Sequence, residues 1–298
     1  MKLISGVIER WVRQLRVHQW VKSLLLFIPM ITAAQEVTTS NAIKIALTFI
    51  AWSLASSGVY LLNDLFDLPY DSAHPTKSSR PLASGTISKR AALVALVLLF
   101  FLASSLAWAV NLAFLCVLLA YVALTCAYTF ALKKIPILDC LLLAIFYTSR
   151  VAAGGVALNL EVSKWLIALS LCLFFSLGLA KRTAELKGSS DVGGKVPGRG
   201  YSRDDEQFVT TLGVVSAFSS VLILMLYIDS QESLRTYATA GLLWVAAPCL
   251  LYFVARLWLL ALRGQLTEDP VLFAVRDLPS IICALGVALA IGLAHIHF

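Results

Sequence analysis

Residues 63–80 read NDLFDLPYDSAHPTKSSR and follow directly on the apolar run 42–62. Asp64, Asp67 and Asp71, then His74, Lys77 and Arg80, interrupt a chain that is otherwise mostly hydrocarbon. On a helix, steps of three and seven residues return side chains to nearly one face. The spacing therefore predicts three carboxylates side by side, which repel unless a cation lies between them. Hard cations such as Mg²⁺ take oxygen ligands and commonly hold substrate phosphates too. The bases downstream suit phosphate oxygens. The stretch reads as a metal–diphosphate site at the end of a membrane helix. Its plain alternative is a solvated loop between two spans. Pro69 cannot donate to the carbonyl of Leu65, so a helix through this stretch would kink or end there.

Working outward, the composition supports the membrane setting. Of 298 residues, 59% are hydrophobic and 14% charged, against about 25% charged in soluble domains. Mean hydropathy is +0.84. The net charge of +7 fits cytoplasmic loop bias and anionic lipid or phosphate partners, rather than nucleic acid. The first apolar run follows a long basic stretch without a small-residue cleavage site, so no cleaved leader is expected. Six cysteines lie inside apolar runs with no CxxC pair, and are expected as small buried hydrophobes.

Hydropathy predicts an all-α, polytopic membrane bundle of about nine transmembrane helices forming one domain, 1–298. The spans are 23–35, 42–62, 91–110, 112–132, 136–157, 164–180, 208–228, 237–260 and 279–297. Residues 1–22 form a basic interfacial segment with Trp11 and Trp20. Of the 24 Lys and Arg, only Lys44, Arg150, Lys164 and Arg235 lie away from the N-terminus, the loops that share its side, or the span ends beside them. This bias puts the N-terminus and the loops 63–90, 181–207 and 261–278 in the cytoplasm. A multi-pass protein of the cell's inner (plasma) membrane with a cytoplasmic active face is expected.

Other polar groups extend the site. His18, Gln19, Trp20 and Lys22 form a polar knot before span 1; interfacial anchoring is its plain reading. Arg150 lies mid-span, where a charge is expensive and faces a cavity or a partner. Asp139, near the charged end of the same span, is a candidate for the working face. Lys181, Arg182, Glu185 and Lys187 either complete a metal–diphosphate site or form a self-satisfied ion-pair set. Ser202 before RDDE reads as a helix N-cap. Glu268, Asp269, Arg276 and Asp277 form either an amphipathic segment or a gate.

The pattern N-D-x-x-D-x-x-x-D at 63–71, with Lys77 and Arg80 behind it, resembles the first signature of the UbiA superfamily of intramembrane prenyltransferases. Within it, RVHQWVK (16–22), AHPTKSSRP (73–81), RVAAGG (150–155) and AKRTAEL (180–186) are similar to the decaprenyl-phosphate phosphoribosyltransferase branch. The resemblance implies a UbiA-like bundle of nine helices and Mg²⁺ as cofactor. It also implies transfer of a phosphoribosyl group from phosphoribosyl pyrophosphate to a polyprenyl phosphate, with release of diphosphate. Ordinary family members carry a second D-x-x-x-D motif after the sixth span. Here Lys181-Arg182-Thr183-Ala184-Glu185 stands there, and its added positive charge suits a donor with one more phosphate.

On this reading Asp64, Asp67 and Asp71 hold the metal, and with Lys77 and Arg80 they carry catalysis. Asn63, Lys22, His18 and Arg150 are candidate substrate-binding residues. Tyr128, Lys133, Lys181, Arg182 and Glu185 complete that set. Partners are the two substrates, membrane lipids and, as a candidate, a second copy of the chain. Two rival readings remain at this point. One is prenyl transfer from a polyprenyl diphosphate to an aromatic or other acceptor. The other is a non-catalytic lipid-binding or transport protein, which would place ionisable groups along a path through the bundle.

Overall fold

The computed structural model describes residues 2–33, 38–73, 77–188, 200–266 and 269–296. The described residues are helices joined by turns. In order they are α1 (Lys2–Gln14), a 3-10 stretch Val17–Phe27, α2 (Ile28–Thr32), α3 (Thr39–Phe66) and α4 (Leu68–Ala73). Then come α5 (Lys89–Val110), α6 (Leu112–Phe130), α7 (Leu138–Leu158), α8 (Lys164–Gly188) and α9 (Glu206–Ile228). The chain closes with α10 (Gln231–Thr236), α11 (Ala246–Leu262), α12 (Pro270–Ala274) and α13 (Leu278–Ala294).

Side-chain caps start the long helices where the sequence supplies them. Thr38 caps α3 and Ser88 caps α5, each accepting a backbone N–H at 3.2 Å. Asn111 caps α6 at 2.7 Å, and its Nδ2 also donates to the carbonyls of Val156 and Ala157, tying the α5–α6 turn to the end of α7. The N-cap expected at Ser202 is present, in a capping box with Asp205. Large apolar side chains such as Val97 and Phe101 point outward from α5, 67% and 65% exposed, as a lipid-facing surface requires.

Among the described residues, seven helical stretches are long and apolar enough to cross a membrane, and α13 is a shorter apolar helix. The expected count of about nine is only approximately met, and the departure lies mainly in the first span. There the chain forms 3-10 helix and then α2, with Pro29 at its start. The 11 residues of the 3-10 stretch cover about 22 Å at its longer rise, where α-helix would cover about 16 Å. The cysteines also differ from expectation: Cys140 is buried, but Cys116 is exposed on the apolar surface.

Two apolar cores flank α7. One joins α7 through Leu142, Phe146 and Ala153 to α3, α5 and α6. The other joins it through Cys140 and Ala144 to α8, α9 and α11. The 3-10 stretch lies against α3 and α7. Trp20 Nε1 donates to Ser57 at 3.0 Å, and Ser53 donates to Ser23 at 3.0 Å. On α7, Gly154 makes the approach feasible: a Cβ there would lie 2.0 Å from the carbonyl oxygen of Leu26. Gly154→Ala must therefore push the stretch off α7. It is expected to destabilise by about 1–3 kcal/mol, as overpacking does, read as a lower melting midpoint of the detergent-solubilised protein.

Candidate active site

The acidic motif is broken where Pro69 suggested. α3 ends at Phe66, with Asp67 as its C-cap residue, and α4 begins at Leu68. Asp67 bonds through its backbone: its N–H donates to the carbonyl of Asn63 at 2.8 Å and its carbonyl accepts from Asp71 at 2.8 Å. The seven-residue step therefore does not run along one helix. No three acids, histidines or cysteines come together as a metal cluster among the described residues. This corrects the expectation of three adjacent carboxylates. Asp64 and Asp71 do converge. Arg80 Nη1 lies 3.0 Å from Asp64 Oδ1 and 2.5 Å from Asp71 Oδ2, so both carboxylates face one cation seat. The side chain of Lys77 and residues His74 and Glu268 lie outside the described residues, as does most of the loop after α8.

Asp64 is 5% exposed and held on both oxygens. Gln14 donates to Oδ2 at 2.8 Å and Arg16 to Oδ1 at 2.7 Å. Gln14 Oε1 also accepts from Leu82 N at 3.0 Å, linking α1, the motif and the turn behind Arg80. Arg16 adopts a left-handed conformation, φ 51°, at the junction of α1 and the 3-10 stretch. This conformation is uncommon for a residue with a side chain. It turns the chain where its guanidinium reaches Asp64 and sits 4.7 Å from the ring centre of Tyr60.

Arg16 and Asn63 line a cavity of about 360 Å³, within the range of ligand sites. Part of its lining, the deep wall that includes buried Lys22 and Arg150, is basic. Lys22, Lys181 and Arg150 line the cavity, and Asp269 is the carboxylate among its described lining residues. Lys22 does not reach for headgroups as an interfacial anchor would; it is 8% exposed. Its ammonium donates to Asp269 Oδ2 at 2.9 Å, with Lys181 Nζ at 4.0 Å from the same oxygen. Tyr147 OH is 3.4 Å from Oδ1. Burial pushes the Asp269 carboxyl up, but the Lys22 and Lys181 ammoniums outweigh it and hold it below the ordinary value. Arg150 donates to Tyr121 OH at 3.0 Å and to the carbonyl of Phe146. The rings of Trp52, Tyr121 and Tyr147 surround its guanidinium at 5.2–5.8 Å. Its buried Nε has no acceptor among the described residues.

The remaining expected residues divide. Tyr128 lines the cavity, its ring edge-on to Phe146. Arg182 also lines it, but Nε bonds Asp139 at 2.8 Å and Nη1 bonds Glu185. Asp139, fully buried, also accepts from Tyr201 OH at 2.5 Å. Within the second motif Arg182 bonds Glu185, but Arg182 also bonds Asp139, Lys181 faces Asp269 and Lys187 faces Glu206, so most of its partners come from other elements. His18 is exposed and Lys133 half-buried; among the described residues, neither these two nor Glu185 lines the cavity. Sequence reasoning missed Gln14, Arg16 and Tyr147 as site residues, and placed Asp269 only as a gate. The Asp-Pro pair at 269–270, a helix-start signal beside an apolar span, was the available clue.

The family model for the UbiA prenyltransferase family matches residues 23–276. The chain belongs to the UbiA prenyltransferase family. It is a multi-pass membrane protein and, as a UbiA-family chain, a transferase. It is 33% identical over 275 residues to the Sinorhizobium fredii protein y4nM, covering 92% of this chain and 53% of that protein. The chain thus spans about half the length of that relative. Nodulation protein NoeC of Azorhizobium caulinodans is 31% identical over 93% of this chain and 90% of its own. The decaprenyl-phosphate phosphoribosyltransferase of Mycobacterium tuberculosis is 29% identical over 98% of this chain and 95% of its own. A UbiA homolog from Archaeoglobus fulgidus, solved bound to GPP and Mg²⁺, superposes with a TM-score of 0.69. That match covers 96% of this chain and all of that one at 17% identity, and supports the fold.

Proposed function

We propose that this UbiA-family chain transfers a phosphoribosyl group from phosphoribosyl pyrophosphate to a polyprenyl phosphate and releases diphosphate. The observation that carries this reading is the basic deep wall, Lys22, Lys181 and Arg150, on a cavity whose mouth adjoins the acidic motif. A lipid phosphate monoester brings about −1.5 to −2 to such a seat, where a single aromatic carboxylate would bring −1, so three clustered cations favour the phosphate. The name of the mycobacterial relative accords with this choice.

Mg²⁺ is usually held by one or two carboxylates plus substrate phosphates. Asp64 and Asp71, sharing one cation seat, fit that pattern. They would hold the ion, which supplies charge neutralisation for the leaving diphosphate. Arg16, on Asp64, and Arg80, on both carboxylates, would add positive charge near the leaving diphosphate, where negative charge grows as the bond breaks. An oxygen of the lipid phosphate attacks C1 of the ribosyl group. The C1–O bond to diphosphate breaks, and its electron pair leaves on the diphosphate oxygen. The phosphate nucleophile is already ionised, so no general base is required. Lys22, Lys181 and Arg150 orient it.

An apolar cavity elsewhere in the bundle would be available to the lipid tail. This second cavity, of about 630 Å³, is lined mainly by apolar residues of α2, α8, α11 and α13. The excess of Lys and Arg at the acidic-motif end supports a cytoplasmic active face in the plasma membrane.

Purified protein in detergent is expected to consume labelled phosphoribosyl pyrophosphate with decaprenyl phosphate, in a Mg²⁺-dependent manner. The competing assay pairs a prenyl diphosphate with 4-hydroxybenzoate. A prenylated aromatic product without phosphoribosyl lipid would overturn the reading.

A further inference from the structure

We propose that Asp269 sets the charge of the deep wall and thereby selects lipid phosphate monoesters over diphosphates. This rests on the reading of that wall as the acceptor phosphate seat. The carboxylate is built in rather than loosely placed. It is the N-cap of α12: Oδ1 accepts from Val271 N at 3.1 Å, and Pro270 follows as the first helical residue. Oδ2 faces the cavity, 2.9 Å from Lys22 Nζ and 4.0 Å from Lys181 Nζ. Other acids near the cavity are engaged elsewhere: Asp64 with Arg16 and Arg80, and Asp139 and Glu185 with Arg182.

The deep wall therefore sets three cations, Lys22, Lys181 and Arg150, against one carboxylate. Two positive charges are in excess. A phosphate monoester carries about −1.5 to −2 at pH 7, which neutralises that excess. A diphosphate carries roughly one more negative charge, placed near the Asp269 carboxylate in a poorly solvated site, where like charges repel strongly. Asp269 thus acts by rejecting the wrong ligand as well as by holding Lys22 in place. It would steer the donor's diphosphate toward Asp64 and Asp71 and reserve the deep wall for the acceptor. Asp269 is a specificity-determining residue; it need not touch the reacting atoms.

The test measures binding of geranyl phosphate and geranyl diphosphate to the full chain in detergent by titration calorimetry, with EDTA present to silence the metal seat. Wild type is expected to bind the monoester more tightly. Asp269→Asn keeps the helix cap and an acceptor for Lys22, but removes the charge. It is expected to shift the affinity ratio toward the diphosphate by about tenfold. Adding Lys181→Met restores the charge excess and is expected to restore the monoester preference. Asp269→Ser, which also retains a cap, serves if Asn does not yield monodisperse protein. An unchanged ratio in the charge-removing variants, with geranyl phosphate still bound and its binding weakened by Lys22→Met, overturns this inference alone. Failure of wild type to bind geranyl phosphate, or binding indifferent to Lys22→Met, overturns the acceptor-seat reading and the inference with it.

Discussion

Asp64→Asn is expected to cut transfer by about a thousandfold, the upper range for losing one group that stabilises a developing charge. Asp64 is the node of the acidic motif. Its two oxygens take Gln14, Arg16 and Arg80, and it shares the Arg80 nitrogen with Asp71. The amide keeps the shape and can still accept from Gln14, but it loses the charge that would hold a divalent cation. Two guanidiniums then lose a carboxylate partner. The check is the single-turnover rate with labelled phosphoribosyl pyrophosphate across a Mg²⁺ titration, alongside gel filtration to confirm an intact fold. A variant that regains the wild-type rate at wild-type Mg²⁺ levels would remove Asp64 from the metal seat.

Lys22→Met is expected to raise the acceptor KM by about thirtyfold or more, as truncating one partner of a buried charge pair does. Met matches the length of the side chain and keeps its place over the Tyr147 ring. What is lost is an ammonium that is nearly buried and bonded to Asp269. The donor KM should change little, because on this reading Asp64 and Asp71, not Lys22, hold the donor's diphosphate. A purely structural role for Lys22 would lower stability and kcat without separating the two KM values. Equal changes in both KM values would therefore count against the acceptor seat.

Much of the architecture was legible because lipid imposes simple rules. Long apolar runs must become helices, and the described helices of spans 2 to 8 fall close to the runs read from hydropathy. Ser202 and Pro69 acted through local backbone chemistry, a cap and a missing donor, which near neighbours decide. The first span was less legible, because the chain there changes from 3-10 to α-helix at Ile28, a change hydropathy does not register. The site divides in the same way. Asp64, Asp71 and Arg80 lie within a short stretch, and their union was visible. Asp67 falls at the C-cap of α3, and helical periodicity took no account of the helix ending there.

The sequence by itself determined a polytopic helical bundle with an acidic motif at one end, since apolar run length, charge bias and motif spacing are local properties, and its resemblance to the UbiA superfamily implied a transferase. Only the tertiary structure decided which charges meet. Lys22 and Asp269 are 247 positions apart, and Gln14 and Asp64 are 50 apart. Neither pairing has a local signature. They form because α7 carries a glycine that lets the 3-10 stretch lie against it, and because burying a charge is tolerable only with a partner at bonding distance.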